Sequence, residues 1–176
     1  SPFTDEDQSR EAKIAYLEKQ QFYVNKKRNF SIDTNLWCRE FEAGGLDQVE
    51  SFSINEDMFL WSKARNSTPS QVTLSFEKGR IVAINNKEVD LMQAVQYLNQ
   101  EIGGYGIGRQ VSLEEGPLRK VVEARECPAA VILSKAIYDL MSLNLSRSLV
   151  ESKIQQDQRW ATLACEGAWF SKEKVA

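Results

Sequence analysis

The chain contains no histidine, and this absence removes much familiar enzyme chemistry. Without histidine there is no Ser-His-Asp or Cys-His nucleophile system and no histidine-ligated zinc site. The three cysteines, Cys38, Cys127 and Cys165, are widely spaced and form no Cys-x-x-Cys pair. We therefore expect no metal site and no disulfide framework, and such reduced thiols are typical of a cytoplasmic protein. Any catalysis would rest on carboxylates, Lys or Arg, hydroxyls or a bound cofactor.

Long apolar runs and a surplus of basic residues are also missing. The longest apolar run is the five-residue "AAVIL", and this predicts no membrane span. The net charge of −3 and the pI near 5.2 argue against nucleic acid or a membrane surface as a partner. The length of 176 residues suits a single domain. Because the chain begins "SPFTDEDQSR" without methionine, we expect a processed or excised piece of a longer protein.

Two glycine-rich stretches resemble loops that bind phosphate. "AGGLD" at 43–47 matches the middle of the S-G-G-x-D-S/T loop of ATP pyrophosphatases, but Ala43 and Gln48 replace the hydroxyl residues and no clean apolar strand precedes it. "GGYGIGR" at 103–109 follows a predicted helix and leads into a predicted strand, the reverse of a dinucleotide fingerprint. We interpret both stretches as turns, the second as a helix-to-strand connection that needs positive φ angles.

The pattern of elements predicts an α+β fold, with a mixed sheet that contains a β-hairpin and is packed by three to four helices. A helix is expected from Ser9, and strands are expected in "VESFSI", in the hairpin at 71–86 and in "RQVSL". Asp90 should cap a helix whose apolar face leads to Gly103 and Gly104 as its end. Two further helices should follow, one opened by Pro128 and one running from 146 to 167. The segment "TNLWCREFEAGG" shows no clear helix or strand pattern, and we expect irregular structure there.

Three ordered blocks then indicate a family. "SIDTNLWCREFEAGGLDQ" at 31–48, "YLNQEIGGYGIGR" at 97–109 and the stretch from "PAAVILSKAIYDL" to "WATLACEGAWFS" at 128–171 together resemble argininosuccinate synthase. The resemblance runs nearly end to end and implies that 1–176 is a single C-terminal domain of that type. The N-terminal ATP pyrophosphatase domain has no counterpart in this chain, and "AGGLD" lies far from its phosphate loop.

The family uses ATP to join citrulline and aspartate, releasing AMP and pyrophosphate. Such a reaction depends on positioning and charge stabilisation, not on a protein nucleophile. The resemblance therefore implies no catalytic residue and no cofactor in this chain, with ATP and Mg expected only in the nucleotide domain. It also implies that this region supplies a wall of the citrulline pocket and most of a homotetramer interface.

Carried over residue by residue, the resemblance assigns two substrate-binding positions. Ser31 falls on a serine that hydrogen-bonds citrulline, and Glu114 falls on a carboxylate that holds its polar end. Hydroxyl and carboxylate groups suit a zwitterion with a ureido tail. From local sequence alone, Ser31 would be a cap and Glu114 a surface strand residue.

The chain also departs from the family pattern. Glu40 stands where a second citrulline-binding serine is expected, and Arg125 lies near an expected substrate tyrosine in a shortened "EEGPLRKVVEARECP" segment that lacks the serine-arginine-glycine element. Because buried charges are tolerated when paired, we hypothesise that Glu40 and Arg125 form a pocket pair. These changes indicate an altered amino-acid substrate or a divergent paralogue that has lost activity.

Three readings remain open. In the first, the chain is part of a carbon–nitrogen ligase of arginine biosynthesis and is inactive without its nucleotide domain. In the second, it is a stand-alone binding or regulatory module, derived from the synthase, that senses an amino acid or associates with a synthase partner. In the third, it is a purely structural oligomerisation domain. Whether it is an enzyme is therefore left uncertain. The four tryptophans are expected to be core or interface anchors, and Cys127 is expected to be inert because no base activates it.

Overall fold

The computed structural model describes residues 9–24, 30–115 and 119–172. Within these ranges the chain forms four α-helices and two sheets. In chain order the elements are α1 (Arg10–Lys19), β1 (Ser31–Thr34), β2 (Arg39–Glu42), β3 (Leu74–Glu77), β4 (Arg80–Ile84), β5 (Lys87–Glu88), α2 (Leu91–Tyr97), β6 (Arg109–Glu115), β7 (Lys120–Glu126), α3 (Pro128–Asn144) and α4 (Arg147–Cys165).

The sheets confirm the α+β class and correct one detail of it. The larger sheet has the strand order β1-β2-β7-β6, and the smaller has the order β3-β4-β5. Every strand pairing in the described ranges is antiparallel, so the expected mixed sheet is wrong. Neighbouring strands joined by short turns, such as β3 and β4, pair in this way without a crossover helix.

Local signals predicted several elements correctly. The Ser9 side chain accepts a hydrogen bond from the Ala12 N–H and caps α1. β3 and β4 form the predicted hairpin, with Glu77 opposite Arg80 around the Lys78-Gly79 turn. Asp90 caps α2 in a capping box with Gln93. Pro128 opens α3 at its first turn.

Other predictions were wrong. "VESFSI" is irregular instead of a strand: only its two ends, Val49 and Ile54, pack against the core under the larger sheet, and the residues between them are exposed. Gly103 and Gly104 do not end the helix; a single π turn at Leu98–Ile102 and a 3-10 turn at Gly103–Tyr105 continue it. Gly106, at φ +77°, provides the left-handed residue at which the chain leaves the helix.

Two apolar clusters form the core. One fills the space between the smaller sheet, α2 and α3, and the other lies under one face of the larger sheet. Asn99, which is buried, joins these regions: its amide donates to the Leu36 carbonyl at 2.9 Å and accepts from the Ala129 N–H at 2.9 Å. The start of α3 is therefore fixed to the loop between β1 and β2. No helix in the described ranges has the length and apolar character needed to cross a bilayer.

The Glu126 carboxylate is a fully buried charge at the end of β7. It accepts hydrogen bonds from the backbone N–H groups of Leu60, Trp61 and Ser62 at 2.8–3.1 Å, and from the Ser62 hydroxyl at 2.9 Å. Its counter-ion is Arg39 of β2, whose side chain is 12% exposed. These contacts attach the loop at 60–62 to the sheet.

We expect Glu126→Gln to lower the free energy of unfolding by about 3 kcal/mol, because the change leaves the Arg39 charge buried without its carboxylate. Urea unfolding followed by circular dichroism measures this. The matched control is Glu115→Gln on β6, where the side chain is 83% exposed and the expected change is about 0.5 kcal/mol or less. Equal effects of the two substitutions would contradict the structural role of Glu126.

Candidate functional site

One face of the larger sheet is polar, and it contains all four substrate-binding positions predicted from the sequence. Residues directly opposite each other in antiparallel strands share a face, and alternate residues along a strand do so too. Ser31 is opposite Glu42, and Glu40 is opposite Arg125. The same face continues onto β6 through Glu114. Positions far apart in sequence are thus brought to one surface.

Arg125 is the centre of this face. Its Nε donates to the Glu40 carboxylate at 2.6 Å, one terminal nitrogen donates to the Ser112 hydroxyl at 2.9 Å, and the other donates to Glu123. The Glu40 and Arg125 side chains are each 30% exposed. Burial, the largest single influence, would lower the pKa of Arg125, but the hydrogen bond to Glu40 together with the charges of Glu40 and Glu123 holds the pKa above its ordinary value. The predicted Glu40–Arg125 contact is therefore present, and its role in binding stays a prediction.

Glu123 is the most perturbed carboxyl of this face. Its side chain is 4% exposed, and burial, followed by a hydrogen bond with the Glu114 carboxyl, raises its pKa from 4.5 to about 7. The Arg125 guanidinium opposes this increase, while Glu40 and Glu114 add to it. Burial disfavours the charged form of a carboxyl group. Glu123 can therefore hold a proton near neutral pH.

Carboxylate oxygens of Glu42, Glu114 and Glu123 lie within 4.8 Å of one another, a spacing that a cation could use. However, Glu123 already contacts Glu114 and accepts a hydrogen bond from Arg125. Glu123 is thus engaged by groups of the chain itself, so we assign no metal or cofactor to these three side chains. The absence of such groups from this chain stays a prediction.

Sequence reasoning missed part of the site. No strand is predicted from the sequence for the segment that contains Glu123 and Arg125, but it forms β7, an interior strand of the sheet. Charged residues conceal its strand pattern. The signal was the alternation of Val122 and Ala124 with Glu123 and Arg125, since a strand with one apolar and one polar face shows that period. Ser112 was missed for the same reason, because its partner is on β7.

The two glycine-rich stretches have structural roles. "AGGLD" follows β2 and forms a 3-10 turn, Gly44–Asp47, which places Leu46 in the core. A phosphate loop requires the N-terminus of a helix directly after it, and this turn is not followed by one. In the second stretch Gly108, at φ +89°, lies so close to Pro128 that a Cβ would come within 2.4 Å of its Cα. Glycine is needed there for the approach of α3 to the start of β6.

Comparison with known proteins defines the class to which this fold and polar face belong. Residues 30–176 match the family model described as "Arginosuccinate synthase C-terminal domain", and the chain belongs to this family. A curated relative, argininosuccinate synthase of Dictyoglomus turgidum, is 36% identical over 179 aligned positions. That alignment covers all of this chain and 45% of the relative, so the chain spans less than half of the relative's length. The resemblance inferred from the three sequence blocks is confirmed.

The raised pKa of Glu123 predicts a pH dependence of stability. In the range from pH 4.5 to about 7 the folded chain binds more protons than the unfolded chain. The stabilising contribution of Glu123 is therefore complete below pH 4.5 and is lost as the pH rises to about 7. The free energy of unfolding of the native chain should therefore decrease by on the order of 2 kcal/mol between pH 4.5 and about 7. We expect Glu123→Gln to abolish this decrease.

Urea unfolding at pH 5 and pH 7 measures this difference, with Glu115→Gln as the control that should keep the native pH dependence. An unchanged pH dependence in Glu123→Gln would contradict the assigned proton.

Proposed function

We propose that this chain is the substrate-binding and oligomerisation domain of an argininosuccinate synthase-like ATP-dependent ligase of arginine biosynthesis. The complete enzyme would convert citrulline, aspartate and ATP to argininosuccinate, AMP and pyrophosphate. The observation that carries the proposal is that Ser31, Glu114, Glu40 and Arg125, assigned from sequence blocks far apart, lie on one face of one sheet. Membership of the family supports the same function.

In this proposal the chain positions the amino acid and performs no covalent step. Citrulline's ureido oxygen would attack the α-phosphate of ATP, and the aspartate amine would then displace AMP. Ser31 and Glu114 would hold the amino acid against the sheet, and such positioning is a main source of rate in reactions of this kind. ATP and Mg would be bound by an N-terminal nucleotide domain, the proposed partner of 1–176, in the cytoplasm. Alone, the chain would ligate nothing.

A second candidate is a catalytically inactive module, derived from the synthase, that binds an amino acid or supports assembly. The observation that favours it is the departure at Glu40 and Arg125. All three guanidinium nitrogens of Arg125 donate to the chain's own groups, Glu40, Ser112 and Glu123, so they are engaged before any ligand arrives. A carboxylate of a ligand would have to displace one of them.

Citrulline titration of the native protein, including any domain encoded before Ser1, separates these candidates. If the ligase proposal is correct, citrulline binds and Ser31→Ala weakens binding about tenfold, the loss expected for one hydrogen bond of about 1.4 kcal/mol. Ser75→Ala, on β3 of the smaller sheet, is the matched control and should bind as the native protein does.

Absence of citrulline binding would favour the inactive module. The double variant Glu40→Arg/Arg125→Glu exchanges the two charges and tests the pocket pair separately. If the variant binds every candidate amino acid as the native protein does, these two side chains are not part of the pocket.

Self-association is the other half of the proposal. α3 and α4 present apolar side chains to solvent, among them Leu143, which is 82% exposed, and Leu149, which is 52% exposed. Exposed apolar patches commonly mark interfaces, and most soluble oligomers are homo-oligomers. We therefore propose a homo-oligomer, a tetramer if it follows the family, with these helices in its interface.

We expect the chain to sediment as an oligomer and Leu143→Asp/Leu149→Asp to shift it towards the monomer, because a carboxylate would be buried without a partner. Analytical ultracentrifugation over a range of concentrations measures the effect. Leu113→Asp on β6 is the control, since that leucine is 60% exposed and lies on the sheet. A purely monomeric native protein would contradict the proposed interface.

A further inference from the structure

Two cysteines that are distant in sequence meet beside the candidate site. β2 and β7 pair with Arg39 opposite Glu126. One step beyond these paired residues, the register would bring Cys38 opposite Cys127, and each thiol acts on the pKa of the other. Opposed residues of antiparallel strands have Cα atoms about 4.5–5.5 Å apart, within the range that a disulfide requires. Continued to Cys38 and Cys127, this register would put the two thiols in a position to join.

The two thiols lie next to groups of the polar face. Cys38 immediately precedes β2 and Cys127 immediately follows β7, so continued alternation would put Cys38 on the side of Glu40 and Cys127 on the side of Arg125. The carboxylate and the guanidinium both act on the pKa of Cys38, and Arg125 also acts on that of Cys127. A disulfide between the thiols would therefore connect β2 and β7, the strands that hold the Glu40–Arg125 contact. It would lie two residues along each strand from that contact.

The two thiols differ in access. Cys127 is 7% exposed and its Sγ lies 3.5 Å from the Gly108 carbonyl oxygen, to which it donates. Cys38 is partly exposed, so a small oxidant can reach it first. Cys165, the third cysteine, is exposed on α4. This asymmetry gives Cys38 the role of attacking thiol and Cys127 the role of resolving thiol.

We propose that Cys38 and Cys127 form a redox-active dithiol that closes to an intramolecular disulfide on reaction with a low-molecular-weight disulfide such as oxidised glutathione. The proposal does not depend on amino-acid binding. The disulfide provides a redox modification next to the Glu40–Arg125 contact.

The reaction consists of two thiol–disulfide exchanges. The Cys38 thiolate attacks one sulfur of oxidised glutathione, forms a mixed disulfide and releases one glutathione thiolate. The Cys127 thiolate then attacks the Cys38 sulfur, forms the Cys38–Cys127 bond and releases the second glutathione thiolate. The two cysteine protons pass through solvent to the two glutathione molecules. The protein dithiol is oxidised by two electrons and the glutathione disulfide is reduced by two.

The surroundings of the thiols make this reaction slow at neutral pH. Burial, followed by Cys127 and Glu40, raises the pKa of Cys38 from 9.0 to about 11, with Arg125 opposing and Glu126 adding to the shift. Burial also raises the pKa of Cys127. Because the thiolate is the nucleophile, its fraction and the rate of exchange rise about tenfold per pH unit below the pKa. From pH 7 to pH 9 the rate should rise about a hundredfold.

The test uses the whole chain carrying Cys165→Ser, treated with oxidised glutathione at pH 7, 8 and 9 without denaturant. Mass spectrometry and peptide mapping after alkylation identify the products. The expected product has lost two hydrogens, carries no glutathione and contains a Cys38–Cys127 peptide, and its rate of formation follows the stated pH dependence. A stable glutathione adduct on Cys38, or no reaction at pH 9, would overturn the proposal.

Single variants provide the controls. Cys127→Ser should retain glutathione on Cys38 because no resolving thiol remains, and Cys38→Ser should leave the buried Cys127 reduced. Peptide mapping of the chain with both cysteines decides the question even if a variant does not fold. The readout is a covalent mass, so its failure would leave the proposed amino-acid binding untouched, and failure of citrulline binding would leave the dithiol untouched.

Discussion

The buried carboxylate of Glu126 is the constraint on which the rest of the domain depends. It ends β7, the strand that pairs with both β2 and β6, and it is surrounded by donors from three backbone N–H groups, one hydroxyl and Arg39. A charge in the interior is tolerated only when its hydrogen-bonding capacity is filled in this way. The loop at 60–62 must therefore stay closed over the end of the sheet. The Arg109 guanidinium adds to this closure, since it lies 4.1 Å from the centre of the Phe59 ring and pairs with Glu56.

This arrangement gives β7 two different faces. Val122 and Ala124 point into the core, where Phe41 makes edge-on contacts with Phe30 and Phe59. Glu123 and Arg125 point the other way and build the polar face. Because side chains alternate with a period of two, a slip of one residue in register would put these charges into the apolar cluster. Register and site are therefore specified together, and the packing of the core fixes the position of the charged groups.

The sequence predicted those parts of the fold that depend on neighbours along the chain. The β3–β4 hairpin, the capped starts of α1 and α2 and the proline at the start of α3 rest on local turn and helix-start chemistry, and they were found. β2 and β7 were missed because their charged residues have partners on other strands: Arg39 with Glu126, and Glu40 with Arg125. The site shows the same division. Ser31 and Glu114 came from the family resemblance, whereas the role of Glu123 and the meeting of Cys38 with Cys127 depend on a strand pairing that local sequence does not reveal.

The charge balance of the polar face bears on how an amino acid would lie against it. Arg125 is the central cation, and its nitrogens are already bound to Glu40, Ser112 and Glu123. The groups that remain are mainly carboxylate and hydroxyl oxygens, which accept hydrogen bonds. In the proposed function this face would therefore contact the ammonium or ureido N–H groups of the amino acid. The carboxylate of the amino acid would be held by donors outside this face. Protonation of Glu123, whose pKa burial raises to about 7, limits the negative charge that accumulates there. The negative charge of Glu40 is thus balanced by Arg125, and that of Glu123 is reduced by protonation.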